Sequence, residues 1–337
     1  MAFMLYEILR NPLEYLRYQD TGEQASMNIH RSIPERVPIG HFADSGEVVD
    51  EVIPRVEYLD RIQTVCAALG ERFEVRFYDH SDDVFDARVL DHLDELQTLA
   101  IDGLARTSHL DAVGRLPKLK NLRYGPACAE SADVLATMGV ERLKSFTLAG
   151  SPSPALDLAP LGVSASLRTL RLLGRGRNTA AIGAATSLRE LAMHPAPKES
   201  LEFIDRLQGL EVLKFVLGKK TSVAEIGALP KLCDLSFMQV ALLEDLGDLQ
   251  RFPALRRLQV IDQKRLPRIT VGPGNKALLH MRLYGVPELH SIDGLATLPA
   301  LMSLWAYDSK LHCLGRATAC ADPLPAGQQG GEGQDRT

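Results

Sequence analysis

The sequence predicts an α/β solenoid, in which a curved parallel β-sheet lines the concave side. Short helices or 3₁₀ turns form the convex side, and an α/β cap closes the N-terminal end. Three observations lead there. Leucine is lopsided: 45 of the 53 leucines fall in residues 93–314 and 7 in residues 1–92. Within residues 93–314 the leucines recur at a nearly fixed interval. The charge divides at the same place, with 9 Arg, no Lys and 17 acids in residues 1–90 of a chain of net charge −5. Two zones built on different plans follow: a capping region at 1–92 and about ten repeats over 93–314. A tail at 315–337 follows, rich in glycine and short of residues that pack, and is expected to be disordered. The abrupt change at that tail is what a truncated or frame-shifted gene would produce.

The repeat is an L-x-x-L-x-L pattern, with other apolar residues allowed at its second and third marks. It starts at Leu96, Leu119, Leu143, Leu167, Leu188, Leu210, Leu232, Leu255, Leu278 and Leu301, at intervals of 21 to 24 residues. Each copy supplies one short strand. Behind the strands, Val223/Ile226/Leu229, Leu243/Leu246/Leu249 and Leu289/Ile292/Leu295/Leu298 step by three, which suits a 3₁₀ or α turn. Prolines at Pro117, Pro230, Pro253 and Pro299 disfavour helix in the preceding residue and lead into the next strand. Ahead of the repeats, Val56, Leu59, Ile62, Val65 and Leu69 predict a helix over Arg55–Leu69. Phe73, Val75 and Phe77 then predict a further strand. Residues 1–46 read as mixed, with a helical start around Pro12–Tyr18.

The ten copies resemble the leucine-rich repeat family, in its short, internalin-like class of 21–24 residues. The resemblance implies a solenoid that binds partner proteins. It departs from the family at one position. The family has Asn or Cys three residues after the third mark, where this chain has Leu104, Ala127, Ser151, Arg175, Ala196, Gly218, Val240, Gln263, Val286 and Ser309. Loops that vary from copy to copy are therefore expected.

In the family register, the strand position between the second and third marks faces outward on the concave side. It reads Ala100, Arg123, Thr147, Arg171, Ala192, Lys214, Ser236, Gln259, Arg282 and Trp305. The position just after the third mark runs Asp102, Gly125, Ala149, Leu173, His194, Val216, Met238, Ile261, Tyr284 and Tyr307. The candidate partner-binding set is a basic line, Arg123, Arg171, Lys214 and Arg282 with Arg257 and Gln259 beside it. To this is added an aromatic group at the C-terminal end: His280, Tyr284, Trp305 and Tyr307. Exposed Arg and aromatic side chains are common interface anchors. The competing reading is that Trp305 and Tyr307 cover the end of the core. The expected partner is a protein with an acidic or mixed-charge surface. The acidic head and mildly basic body argue against nucleic acid as the main partner.

Signals for chemistry are missing. Gly218-Lys219-Lys220-Thr221 looks like the end of a phosphate loop, but Leu213 stands where the first glycine would be. Gly174-Arg175-Gly176-Arg177 lacks a third glycine at dinucleotide-loop spacing. The histidines show no zinc spacing, there is no G-x-S-x-G, and Asp82-Asp83 beside His80 reads as a solvated pair. No cofactor or metal is expected. Cys66, Cys128, Cys233, Cys313 and Cys320 are odd in number and widely spaced, which predicts a reducing, cytoplasmic compartment. Glu7, Arg10, Glu14 and Arg17 interrupt the N-terminus, so no ordinary signal peptide and no membrane association are expected. Secretion by a signal-less route stays compatible, and residue usage looks bacterial. The expected function is thus a non-enzymatic protein-interaction module. Its alternatives are an effector or immunity protein that recruits or inhibits a target enzyme, and an enzyme with an unrecognised active site in residues 1–90, for which Cys66 is more readily read as buried packing than as a nucleophile.

Overall fold

The structure is a computed structural model that describes residues 25–30, 33–43, 46–79 and 82–311. The expectations for Pro12–Tyr18, His80, Cys313, Cys320 and the tail 315–337 lie outside the described residues. One sheet of twelve parallel strands runs through the molecule. It comprises Ala25–His30, Phe73–Tyr78, Thr98–Asp102, Asn121–Gly125, Ser145–Leu148 and Thr169–Leu172. It continues with Glu190–Met193, Val212–Val216, Asp234–Met238, Arg257–Ile261, His280–Val286 and Ser303–Ser309. At about 4.8 Å per strand the sheet spans on the order of 50 Å.

The register matches the sequence pattern at every copy. The second marks stack as Leu99, Leu122, Phe146, Leu170, Leu191, Leu213, Leu235, Leu258, Met281 and Leu304. All but Leu304 are buried, and their columns form one elongated core shared between neighbours. Stacked Phe215 and Phe237, with ring centroids 5.5 Å apart, lie inside it.

The head extends this plan. The helix spans Arg55–Leu69 and leads into the strand Phe73–Tyr78. Its buried side is Tyr58, Leu59, Ile62, Val65 and Cys66. Val56, expected on that side, is 67% exposed. Six residues before Ile62, it sits about 120° round the helix from the centre of the buried face. Two features were not expected. Ala25–His30 adds a strand outside Phe73–Tyr78, burying Met27 and Ile29. Arg36–Ala43 and Gly46–Pro54 form an antiparallel hairpin before the helix.

The side behind the sheet is irregular, as expected. Short α-helices occupy Asp111–Arg115 and Ala159–Gly162, and 3₁₀ turns include Thr179–Ala184, Glu202–Arg206, Leu249–Arg251 and Leu295–Thr297. The Val223/Ile226/Leu229 copy, expected to carry a 3₁₀ or α turn, has only a turn at residues 224–225 in otherwise irregular backbone, although all three side chains are buried. Burial by threes is therefore met there without a helix. In place of the missing Asn/Cys ladder, Leu104, Val240 and Val286 are buried apolar groups and Gln263 a buried amide. Backbone groups of adjacent turns satisfy one another instead. Ala127 N–H donates to the Leu104 carbonyl at 2.7 Å, Ser153 N–H to Ala127 at 2.9 Å, and Ala241 N–H to Gly218 at 3.1 Å.

Candidate functional site

Alternation along each strand sends the marks into the core and the residues between them to the open face of the sheet. The sequence expects the whole stripe between the second and third marks to be exposed there. The structure corrects this at four small residues: Ala100, Thr147, Ala192 and Ser236 are less than 10% exposed. Ala192 lies in register between Arg171 and Lys214, and Ser236 between Lys214 and Gln259. Small side chains sink between long neighbours.

The basic line is present on this face, with ion pairs the sequence did not show. Most of its cations are matched by acids on adjacent strands. Arg171 donates to Glu190 Oε1 at 3.0 Å, and Lys214 lies 3.6 Å from the same oxygen. Arg257 donates to Asp234 at 2.8 Å. Arg123 lies 3.6 Å from Asp102, which also accepts from Arg76 at 2.5 Å. Arg282 has no carboxylate partner among the described residues. The acids stand in the flanking strand columns, so a count of the central stripe alone overstates its charge.

Two recesses open on this face. One, of about 520 Å³, is polar and lies at the N-terminal end between Glu74, Thr98, Asn121, Arg123, Thr147 and Arg171. Burial raises the Glu74 carboxyl above its ordinary value, an effect that the nearby Arg123 opposes. At its rim Glu71 accepts from Lys144 at 2.6 Å and pairs with Lys120 at 2.9 Å; these cations lower its carboxyl to about 2. The second recess, about 380 Å³, brings together Arg257, Gln259, His280, Met281, Arg282, Ser303 and Trp305. These include five of the ten sequence-selected residues: Arg257, Gln259, His280, Arg282 and Trp305. His280 Nδ1 and Ser303 Oγ are 2.8 Å apart along its edge. Trp305 is 53% exposed. Beside it Tyr284 and Tyr307 stack, with centroids 5.4 Å apart and planes at 11°. Arg123 and Arg171 stand apart, in the first recess.

Residues missed by the sequence selection lie next to this group. Val216, Met238 and Ile261 carry the Tyr284–Tyr307 column back across three more strands. The apolar continuity of that column was the available signal.

Elsewhere the polar motifs are structural. Lys220 is buried, donating to the Glu199 carbonyl at 2.5 Å and pairing with Glu225 at 2.7 Å, so it is held away from any phosphate. Cys66 is buried in its helix, and burial pushes its thiol up to about 12. A protonated, enclosed thiol is a poor nucleophile. Among the described residues no three His, Cys, Asp or Glu side chains group to hold a metal, and no helix is long and apolar enough to cross a membrane.

Repeat, register and the turn-lined rear of the sheet together define a leucine-rich-repeat solenoid. No family model matches the sequence, and no curated protein does. Similar solved structures include internalin C2 of Listeria monocytogenes, at 15% identity over 64% of this chain and 88% of that one, TM-score 0.42. Internalin F of the same organism is 16% identical over 73% and 90%, TM-score 0.40. The leucine-rich repeat domain of the type III effector XopL is 21% identical over 75% and 82%, TM-score 0.43. The fold assignment rests on this chain's own strands.

Proposed function

We propose that this chain is a non-enzymatic protein-interaction module whose partner docks on the C-terminal half of the open sheet face. One observation carries the reading: Trp305, Tyr284 and Tyr307 are exposed together beside Arg282, a cation without an acidic partner among the described residues. Large aromatic groups left in water on a flat, rigid sheet lose little conformational freedom on binding and bury much area. Because the other cations are largely neutralised in place, the partner surface is mixed in charge, with an acid opposite Arg282. A cytoplasmic setting accords with the odd, scattered cysteines. The buried Cys66 thiol weighs against the enzymatic alternative in the head.

The test is affinity capture with the intact chain against Trp305→Ala and Arg282→Ala. Both side chains are exposed, so their loss leaves the solenoid folded. Trp305→Ala is expected to weaken a captured partner by about 2 kcal/mol, roughly thirtyfold. Partner binding that survives both substitutions unchanged rejects the reading.

A further inference from the structure

We propose that the seat on this face is shaped for an amphipathic α-helix of the partner, laid across the strands along Val216, Met238, Ile261, Tyr284 and Tyr307. The inference rests on the docking reading above and adds the partner's secondary structure and charge pattern. These five residues are mutual register neighbours on five consecutive strands. Met238, Tyr284 and Tyr307 are 37%, 47% and 68% exposed, and Val216 and Ile261 are partly exposed. They make one unbroken apolar stripe at right angles to the strands, about 19 Å long at the usual strand spacing.

The step of that stripe selects its occupant. Strands follow one another at about 4.8 Å, and a helix returns a side chain to one face every 5.4 Å. Over four steps the mismatch grows to only about 2.4 Å, within the reach of Met and Leu side chains. An extended segment returns a side chain every 6.6–6.8 Å or so and is out of step by about 7–8 Å over the same distance. About 13 helical residues cover the stripe, with apolar groups at i, i+3 or i+4, and i+7.

Charge gives the helix a direction. One flank of the stripe carries Arg282, with Lys214, shared with Glu190, farther back. At the other, just past the strand ends, stand Asp262 and, within the last strand, Asp308. Lys214 is 3.6 Å from its nearest acid and Asp262 is 3.9 Å from Lys264, while Arg282 and Asp308 have no ion pair among the described residues. A helix acidic on one side of its apolar face and basic on the other meets both flanks in one direction and opposes both when reversed.

The test uses two display libraries on the immobilised full chain. One randomises a surface helix of a small helical-bundle scaffold; the other presents linear 16-residue peptides. Binders are remeasured in solution on the wild type and on Met238→Lys, Ile261→Glu, Arg282→Glu and Trp305→Ala, each checked for fold by circular dichroism. Trp305 is the sole tryptophan, so its emission reports occupancy of this face. The expected result is enrichment from the helical library, with Glu or Asp on one flank of the apolar positions. At least tenfold weaker binding is expected with Met238→Lys or Ile261→Glu, and for acidic-flank binders with Arg282→Glu. Failure to enrich the helical library overturns the inference. If linear binders without helical periodicity are selected and Trp305→Ala removes them, the helix falls and the docking reading stands. If binders of both kinds ignore every one of these substitutions, both fall.

Discussion

Gly174 packs so closely on Gly150 that a β-carbon at residue 174 would stand 1.4 Å from the Gly150 carbonyl oxygen. The two backbones meet where adjacent copies turn away from the sheet. Gly174, in a basic loop that the sequence already set apart from a dinucleotide fingerprint, is there for close approach. Gly174→Ala is expected to cost about 2–3 kcal/mol, since the obstacle is backbone and not a yielding side chain. Urea denaturation of the two proteins measures it, and an unchanged midpoint would refute the close contact.

Leu217 presents the opposite case. It directly follows the strand Val212–Val216 at φ 57°, the left-handed region, with its side chain 45% exposed. Its N–H still donates to the Met238 carbonyl at 2.7 Å. A branched side chain there costs about 1–2 kcal/mol, part of which glycine returns as unfolded-state entropy. Leu217→Gly should raise stability by about 0.5 kcal/mol, visible as a small rise in Tm. A fall in Tm would mean that Leu217 contributes contacts worth more than its strain.

Acid should weaken the fold through two carboxylates. The cations around Glu71 lower its carboxyl to about 2, and Arg88 does the same for Asp86. A carboxyl depressed by folding contributes stability that is present above its ordinary value of 4.5 or 3.8 and is lost as pH falls towards 2. Both side chains are more than a third exposed, so solvent screening holds each contribution to about 1 kcal/mol or less. Glu71→Gln should flatten the decline of stability between pH 5 and pH 2. An identical decline in the variant would show that the Lys120 and Lys144 pairs carry no weight.

Thiol labelling separates the cysteines. Cys128 is exposed and Cys66 is buried with its thiol raised to about 12. Iodoacetamide at pH 8 should modify Cys128 in the native protein and reach Cys66 only after unfolding, as read by peptide mass mapping. Fast native labelling of Cys66 would reopen the case for a nucleophile in the head.

Much of the fold was legible in the sequence because its signal is repetition. One wrong copy would break a column, and the ten second marks stack from Leu99 to Leu304 without a slip. The helix Arg55–Leu69 showed in its spacing, apart from Val56 in the first turn. The strand Ala25–His30 had no repeat to announce it and is defined by its partner Phe73–Tyr78, about fifty residues away. The site was only half legible. Outward positions follow from alternation, which found Arg282, Trp305 and Tyr284. Whether a cation is free depends on side chains crossing between strands, as Glu190 does between Arg171 and Lys214. A list taken column by column does not hold that information.

The last strand, Ser303–Ser309, pairs on one side only among the described residues. Leu295, Leu298, Leu301 and Leu304 beneath it are merely half-covered. In a chain of units that hold only their neighbours, each unit's stability depends on the one beside it. The aromatic group sits at this end of the described row of strands. A ligand seated there acts like a bookend: each unit it steadies steadies the one before it, and occupancy registers as resistance to heat along the row.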